Sequence, residues 1–557
     1  MFPTVQTLKK WRLCLLSGFL FAGCHGSKQP VDLLVHHAVV YTVNDGFRVA
    51  EAFAVKEGRF VAVGSNDELR DRYVATQTLD AGGKPVYPGF IDAHCHFLGY
   101  GLSLRQANLV GTRSFAEVVE KVAAHRRNYP AAAWIQGRGW DQNDWARQSF
   151  PTKDTLDALF PDVPVLLTRV DGHAALANQK ALDLAGVTVR TRVDGGKLEI
   201  KNGRLTGILV DNAVGLVSRM IPPPGRAGQI AALQNAERNC FAVGLTTVDD
   251  AGLDKDIVDV LDSLHRTGGL SMRVYAMLNP TPRNQAHYLT RGPYKTDRLN
   301  VRSFKVYADG ALGSRGACLL EDYGDAPGER GFLLRPPDYY RQLADTLYRH
   351  NFQMNTHCIG DSANRFLLDV YGAVLKGHND RRWRIEHAQV VSAEDVEKFG
   401  RFSVVPSVQP THGTSDMYWA GERLGRERVK TAYAYRALYQ QNQRLAFGSD
   451  FPVEDIRPLY GFHAAVVRQD AKEYPVGGFQ PENALSRENA LRGMTIWAAY
   501  SNFEEKEKGS IEPGKFADFV VLEEDVMQAA PARLRNAAVL RTFVNGKQVY
   551  ARTAVNP

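Results

Sequence analysis

Cysteine is scarce and unpatterned. Six cysteines lie at positions 14, 24, 95, 240, 318 and 358 of 557 residues, and no two form a CxxC pair. A cysteine-framed zinc module has no footing here, and buried single thiols are the expectation for Cys240, Cys318 and Cys358, although an exported chain can form a disulfide. Low-complexity runs and tandem repeats are absent, so nothing points to a solenoid or a disordered tail. Positive charge is not gathered into a block. Of the formal net charge of +7, Lys9, Lys10 and Arg12 supply three, and the remaining +4 is spread along the chain. Nucleic acid is therefore not an expected partner. The length is enough to bury a large core and too great for one small domain.

The N-terminus carries the next signal. Lys9, Lys10 and Arg12 precede an apolar stretch, residues 13–22, that is too short to span a bilayer. It reads as an export signal with a basic n-region and an apolar h-region. Leu20-Phe21-Ala22-Gly23-Cys24 resembles a lipoprotein processing site, although Phe21 stands where leucine is usual. This implies a signal peptide over residues 1–23, lipid on Cys24 and a short membrane tether over residues 24–30. His25 stands where an aspartate would signal retention at an inner membrane, so the expected location is the outer membrane, facing the periplasm. The alternative is an ordinary secretory signal in which Cys24 has no role.

The chemistry is concentrated in five separated pieces: Asp92-Ala93-His94-Cys95-His96, Lys305, His357, His387 and Asp450. The first closes an apolar run over residues 86–91 that reads as a buried strand. Residues two apart on a strand share a face, so His94 and His96 can grip one ion while Cys95 faces away. The other four also stand at or near the ends of short β-like runs. Several strands each delivering a polar residue at the carboxyl end is how a (β/α)8 barrel builds a site.

These pieces resemble the motifs of the amidohydrolase superfamily, metal-dependent hydrolases on that barrel. Pro88-Gly89-Phe90-Ile91-Asp92-Ala93-His94-Cys95-His96 resembles its first-strand signature. The segment from Lys305-Val306-Tyr307-Ala308-Asp309-Gly310 to Arg315 is similar to the lysine strand of the amidohydrolase 3 branch, which includes N-substituted formamide deformylases. His357-Cys358-Ile359-Gly360-Asp361, Glu386-His387-Ala388-Gln389 and Gly448-Ser449-Asp450-Phe451-Pro452 are similar to the remaining motifs, in the right order.

The expected fold is therefore α/β: a TIM-type (β/α)8 barrel over residues 86–502. Both ends, residues 31–85 and 503–557, are rich in alternating strands with hairpin turns at Asn44-Asp45-Gly46, Glu57-Gly58 and Asn545-Gly546, and should meet in a small β-sandwich. Barrel strands are expected at 86–91, 245–249, 272–277, 303–307, 353–356, 384–386, 403–408 and 445–447. Lys305 and His357 are 52 residues apart and His357 and His387 are 30 apart, yet His96 and Lys305 are separated by 209. A large insertion after the first strand, about residues 101–235, accounts for the excess and should roof the catalytic face, with Pro222-Pro223-Pro224-Gly225 at its exit.

The resemblance implies two divalent ions, most simply zinc, which suits imidazole. His94, His96 and Asp450 would hold one and His357 and His387 the other, with Lys305, as a carbon dioxide-derived carbamate, bridging both. A protonated lysine cannot ligate a cation, and its plainer alternative is a salt bridge to Asp309 or another acid. A hydroxide bridging the metals would attack the substrate carbonyl, with Asp450 moving the proton to the leaving nitrogen. The expected reaction is hydrolysis of an amide, N-formyl or N-acyl bond in a small molecule. His173, Arg315, Gln409, His412 and Trp140 are candidates for substrate contact, against structural hydrogen bonding or, for Trp140, core packing. The same site could serve an ester, lactone or phosphoester, a mononuclear deaminase would not need the carbamate, and a catalytically silent binding lipoprotein would be expected to have lost a ligand.

Overall fold

The computed structural model describes residues 28–553, so Cys14, Cys24 and His25 lie outside the described residues. Among those described, no helix is long and apolar enough to cross a membrane. Eight parallel strands form the central sheet: β1 (Phe90–Cys95), β2 (Leu245–Leu253), β3 (Arg273–Leu278), β4 (Leu299–Tyr307), β5 (Gln353–Cys358), β6 (Arg384–His387), β7 (Val405–Val408) and β8 (Ala446–Phe447), with a short antiparallel ninth, Tyr294–Lys295, beside β4. They pair in chain order, as a right-handed series of βα units dictates. Helices return the chain between them. Lys255–Thr267, for example, buries Val258, Leu261 and Leu264 at helical spacing and stops at Gly268, whose φ of 72° is left-handed.

The circle is nearly closed. β8 and β1 share no continuous ladder, but they are stitched beside the site: the Asp450 N–H donates to the His94 carbonyl at 2.7 Å and the His96 N–H to that of Phe451 at 2.8 Å. Buried Asp92 accepts from the Ser449 hydroxyl at 2.6 Å and from the Ser449 N–H at 3.0 Å. Gly448 allows this approach, since a Cβ there would sit 2.6 Å from the His94 nitrogen.

The apolar run expected as one strand is in fact two. Pro85–Pro88 belongs to a separate sheet with Phe519–Leu522, and the barrel begins only at Phe90. Gly89 is the switch: its N–H donates to Asp518, while the next N–H, that of Phe90, donates to Gly244. A Cβ at Gly89 would also lie 2.2 Å from the Thr246 hydroxyl. Hydrophobic pattern cannot separate two consecutive buried strands.

The chain ends supply two sheets. One has four strands, Arg59–Gly64, Ala52–Lys56, Gln29–His36 and Tyr73–Asp80 in spatial order; the other has six, including Val39–Tyr41, Pro85–Pro88, Phe519–Leu522 and Val539–Val544. Phe53 and Phe60 of the first share an apolar cluster with Phe519 and Phe543 of the second. The strand from Gln29 pairs Pro30 with Val74, so residues 29 and 30, expected in a tether, belong to this sheet.

The insertion also forms a sheet of its own, with strands Gly196–Lys201, Arg204–Asp211, Ala174–Ala177, Val165–Arg169, Ile135–Trp140 and Ala107–Asn108 in spatial order. It ends earlier than expected. Helix Arg226–Ala242 starts directly after the proline run, packs on Phe97–Ser103 and leads into β2, so residues 226–235 belong to the barrel.

Candidate metal centre

His94 and His96 close β1 on one face, and each has one ring nitrogen committed. Nδ1 of His94 meets Glu386 Oε2 at 2.5 Å, and Nδ1 of His96 meets the Ala251 carbonyl at 3.1 Å. Their Nε2 atoms turn to Asp450, whose Oδ1 lies 3.2 Å from that of His96 and 3.7 Å from that of His94. Among the described residues Asp450 Oδ1 is buried without a well-aligned hydrogen bond, and the three side chains can offer ligand atoms within 4.8 Å of one another. An orphaned carboxylate oxygen facing two oriented imidazoles fits a divalent cation. Between them Cys95 points the other way, its Sγ 3.4 Å from the Asp249 carbonyl.

Lys305, on β4, is 1% exposed and has no carboxylate partner among the described residues. Its Nζ donates to His94 Nε2 at 3.0 Å and lies 4.6 Å over the Tyr307 ring. Asp309 does not pair with it, because that carboxylate accepts from the backbone N–H groups of Ile359, Gly360 and Cys318. Burial brings the lysine down from 10.5 to about 8, so an uncharged, nucleophilic amine is accessible near neutral pH.

His357 ends β5 and His387 ends β6, with ring centroids 4.5 Å apart; the His387 ring is 4.9 Å from that of His94. Nδ1 of His387 is committed to Gln409 Oε1 at 2.6 Å, which leaves Nε2. His357 has the opposite arrangement: Nε2 lies 3.4 Å from the Gly310 carbonyl, which leaves Nδ1. Burial holds both rings well below the ordinary imidazole value, hence neutral and able to ligate. Burial alone would raise Asp450, but His96, His94 and His387 hold it well below the usual carboxylate range. His387, Ala388 and Asp450 all adopt positive φ, 73°, 43° and 61°, a concentration of strained non-glycine backbone at the strand ends.

Beneath these residues runs a buried charge network absent from the sequence-level candidates. Glu386 accepts from Arg384 Nε at 2.6 Å, while Arg384 also donates to Asp249 at 3.0 Å and to the Ala93 carbonyl at 2.7 Å. Burial would raise the Glu386 carboxyl, but Arg384 and His94 drive it far below its ordinary value. Arg384 and Glu386 are two apart in a buried strand, a spacing that puts both on one face and could have flagged them.

Of the substrate-contact candidates, the structure brings two to the cavity above the ligands. His173 and His412 line it. His173 is held by Asp211 at 2.7 Å and its ring lies 4.9 Å from that of His357. The other three have partners elsewhere. Trp140 is 1% exposed, donates to the Leu167 carbonyl and packs on Trp145 and Phe150, inside the insertion. Arg315 is tied to Asp325 at 2.8 Å and does not line the cavity. Gln409 spends its carbonyl on His387.

The described family model "Amidohydrolase family" matches residues 77–550. Protein LONG AFTER FAR-RED 3 of Arabidopsis thaliana is 34% identical over 93% of this chain and 91% of its own length. The N-substituted formamide deformylase of Arthrobacter pascens is 28% identical over 94% of this chain and 99% of its own. The crystal structure of an uncharacterized metal-dependent hydrolase from Pyrococcus horikoshii OT3 superposes with a TM-score of 0.74 at 26% identity, covering 90% of this chain and 99% of that one.

Proposed function

Because this chain belongs to the amidohydrolase family, we propose that it is a metal-dependent hydrolase cleaving a C–N acyl bond of a small molecule. The observation that carries the reading is Asp450 Oδ1, buried without a well-aligned hydrogen bond among the described residues and facing Nε2 of His94 and His96. In this reading those three residues would hold one divalent ion, and His357 through Nδ1 and His387 through Nε2 would hold a second, with Lys305 contributing as a carbamate. Zinc is the metal that imidazole and carboxylate donors suit. When bound, such ions polarise a carbonyl and lower the pKa of water.

The chain's own residues do the rest. Asp450 accepts the proton of the attacking water and returns it to the leaving nitrogen, which then departs as a neutral amine. Glu386 holds His94 in the tautomer that presents Nε2, and Gln409 does the same for His387. His173 and His412, on the cavity wall, are positioned to touch the substrate. The related formamide deformylase supports a formyl or acyl group as the part removed. Assay of zinc-loaded protein on N-formyl and N-acyl amines, with matched esters in parallel, tests the bond. Amide turnover is expected; hydrolysis of the esters alone would overturn it.

We also infer from the leader that the protein is exported and lipid-anchored at Cys24, in a two-membrane bacterium on the outer membrane facing the periplasm. A single acyl chain binds membranes only marginally, so the multiply acylated cysteine typical of bacterial lipoproteins is required. Fractionation of cells carrying wild type and Cys24→Ser should find the first in membranes and the second soluble and active. Wild-type protein found wholly soluble rules the anchor out.

A further inference from the structure

Six carboxylates line the cavity above the metal ligands: Asp141, Asp144, Asp171, Asp416, Asp450 and Glu454. Three of them have an evident purpose. Arg169 is ion-paired with both Asp141 and Asp171, and Asp450 belongs to the ligand set. The other three come from three different segments: Asp144 from the insertion, Asp416 from the segment after β7 and Glu454 from the segment after β8. Asp416 accepts from the Tyr433 hydroxyl at 2.8 Å and Glu454 from the Ser415 hydroxyl at 2.7 Å, so neutral donors fix both. Arg169 and Lys472 act on Asp144, the His412 ring on Asp416 and Glu454, and Arg535 on Glu454, but none of them forms an ion pair with these three carboxylates among the described residues.

Burial, reinforced by neighbouring carboxylates, pushes Asp144 up to about 6 and Asp416 to about 7, and raises Glu454 as well. Arg169 is already committed to Asp141 and Asp171, so this wall keeps three carboxylates that no cation contacts directly among the described residues. His412 is a second and separate sign of a ligand. It is nine-tenths buried, it lines the same cavity, and its Nε2 is buried without a partner. The cavity, about 230 Å³, suits a small occupant.

We propose that the substrate carries a positively charged nitrogen, an ammonium or guanidinium, seated among Asp144, Asp416 and Glu454 while its acyl–nitrogen bond lies at the metal ligands. The substrate class is then a monoacylated diamine or a close relative, and the inference rests on the hydrolase reading above. Complementary charge in a half-buried site discriminates against neutral and anionic analogues and weakens with salt.

Three acetamides of matched length provide the test: N-acetyl-1,4-diaminobutane, N-pentylacetamide and N-acetyl-4-aminobutyrate. The expected kcat/KM falls in that order, by about tenfold or more between cation and neutral, and added salt narrows the gap. In the Asp416→Asn/Glu454→Gln double variant, with its fold checked by circular dichroism, the ratio of cation to neutral collapses toward one. Calorimetry with 1,4-diaminobutane, which needs no turnover, should show binding to wild type and its loss in the variant. Equal kcat/KM for cation and neutral, or preference for the anion, overturns the proposal. If all three acetamides are inert, the bond assignment fails, and the diamine titration still decides this one: no heat of binding to wild type overturns it.

Discussion

Glu386 Oε2 lies 2.5 Å from Nδ1 of His94, and neither side chain has any exposed surface. The contact joins two strands 292 residues apart in sequence and determines which imidazole nitrogen faces Asp450. Because Arg384 neutralises Glu386 from the other side, the carboxylate stays charged in a dry environment.

Glu386→Gln should therefore weaken metal binding without touching a ligand. A loss of about 10–100-fold in affinity is expected, measured by competition with a chromophoric chelator. Unchanged affinity would mean that the His94 ring is oriented by packing alone.

Lys305→Ala should lose most activity and at least one metal, with partial recovery in short carboxylic acids that stand in for the carbamate. Full activity in this variant would disprove the bridging role. Carbamate formation needs the uncharged amine. Since burial lowers Lys305 to about 8, reconstitution of metal-free protein at a fixed concentration of dissolved carbon dioxide should speed up as pH rises from 7 and level off above 8. A rate that climbs steadily to pH 10 would show an ordinary, solvated lysine.

Asp450→Asn should behave differently. The amide keeps a ligand oxygen but cannot carry a proton, so metal content should hold while turnover falls by about 10²–10⁴-fold. Metal analysis beside kcat separates the two roles, and parallel loss of both would make Asp450 mainly structural.

Trp140→Ala should act on stability rather than on substrate. The indole is 1% exposed and its N–H is bonded to Leu167. Its loss should cost about 3–5 kcal/mol, seen as a lower Tm. A raised KM with an unchanged Tm would return Trp140 to the cavity.

Much of the barrel was legible because five of its strands, β1, β4, β5, β6 and β8, carry or lead into a chemically distinctive residue at their carboxyl ends. The two-residue turns at Glu57-Gly58 and Asn545-Gly546 were legible for a similar reason: both residues of each take positive φ, which few other pairs adopt easily. Gly89 was not legible as a boundary, since the residues on either side of it are equally apolar and only their hydrogen-bond partners differ. The partners of Gln409 and Arg315 were not legible, because a polar side chain near a strand end has several within reach. Which one it takes depends on elements far away in sequence, here His387 and Asp325.

The sequence by itself determined the residues capable of holding a metal and the strand ends that carry them, because ligand chemistry and a period of two are local properties. Only the tertiary structure decided how those residues are used. It turned His94 with Glu386 and, among the described residues, left Asp450 Oδ1 without a well-aligned donor and buried Lys305 without an ion-paired carboxylate. It also gathered Asp144, Asp416 and Glu454 from three segments onto one cavity wall. Orientation, desolvation and charge balance are set by neighbours that meet only when the barrel closes and the insertion lies over it.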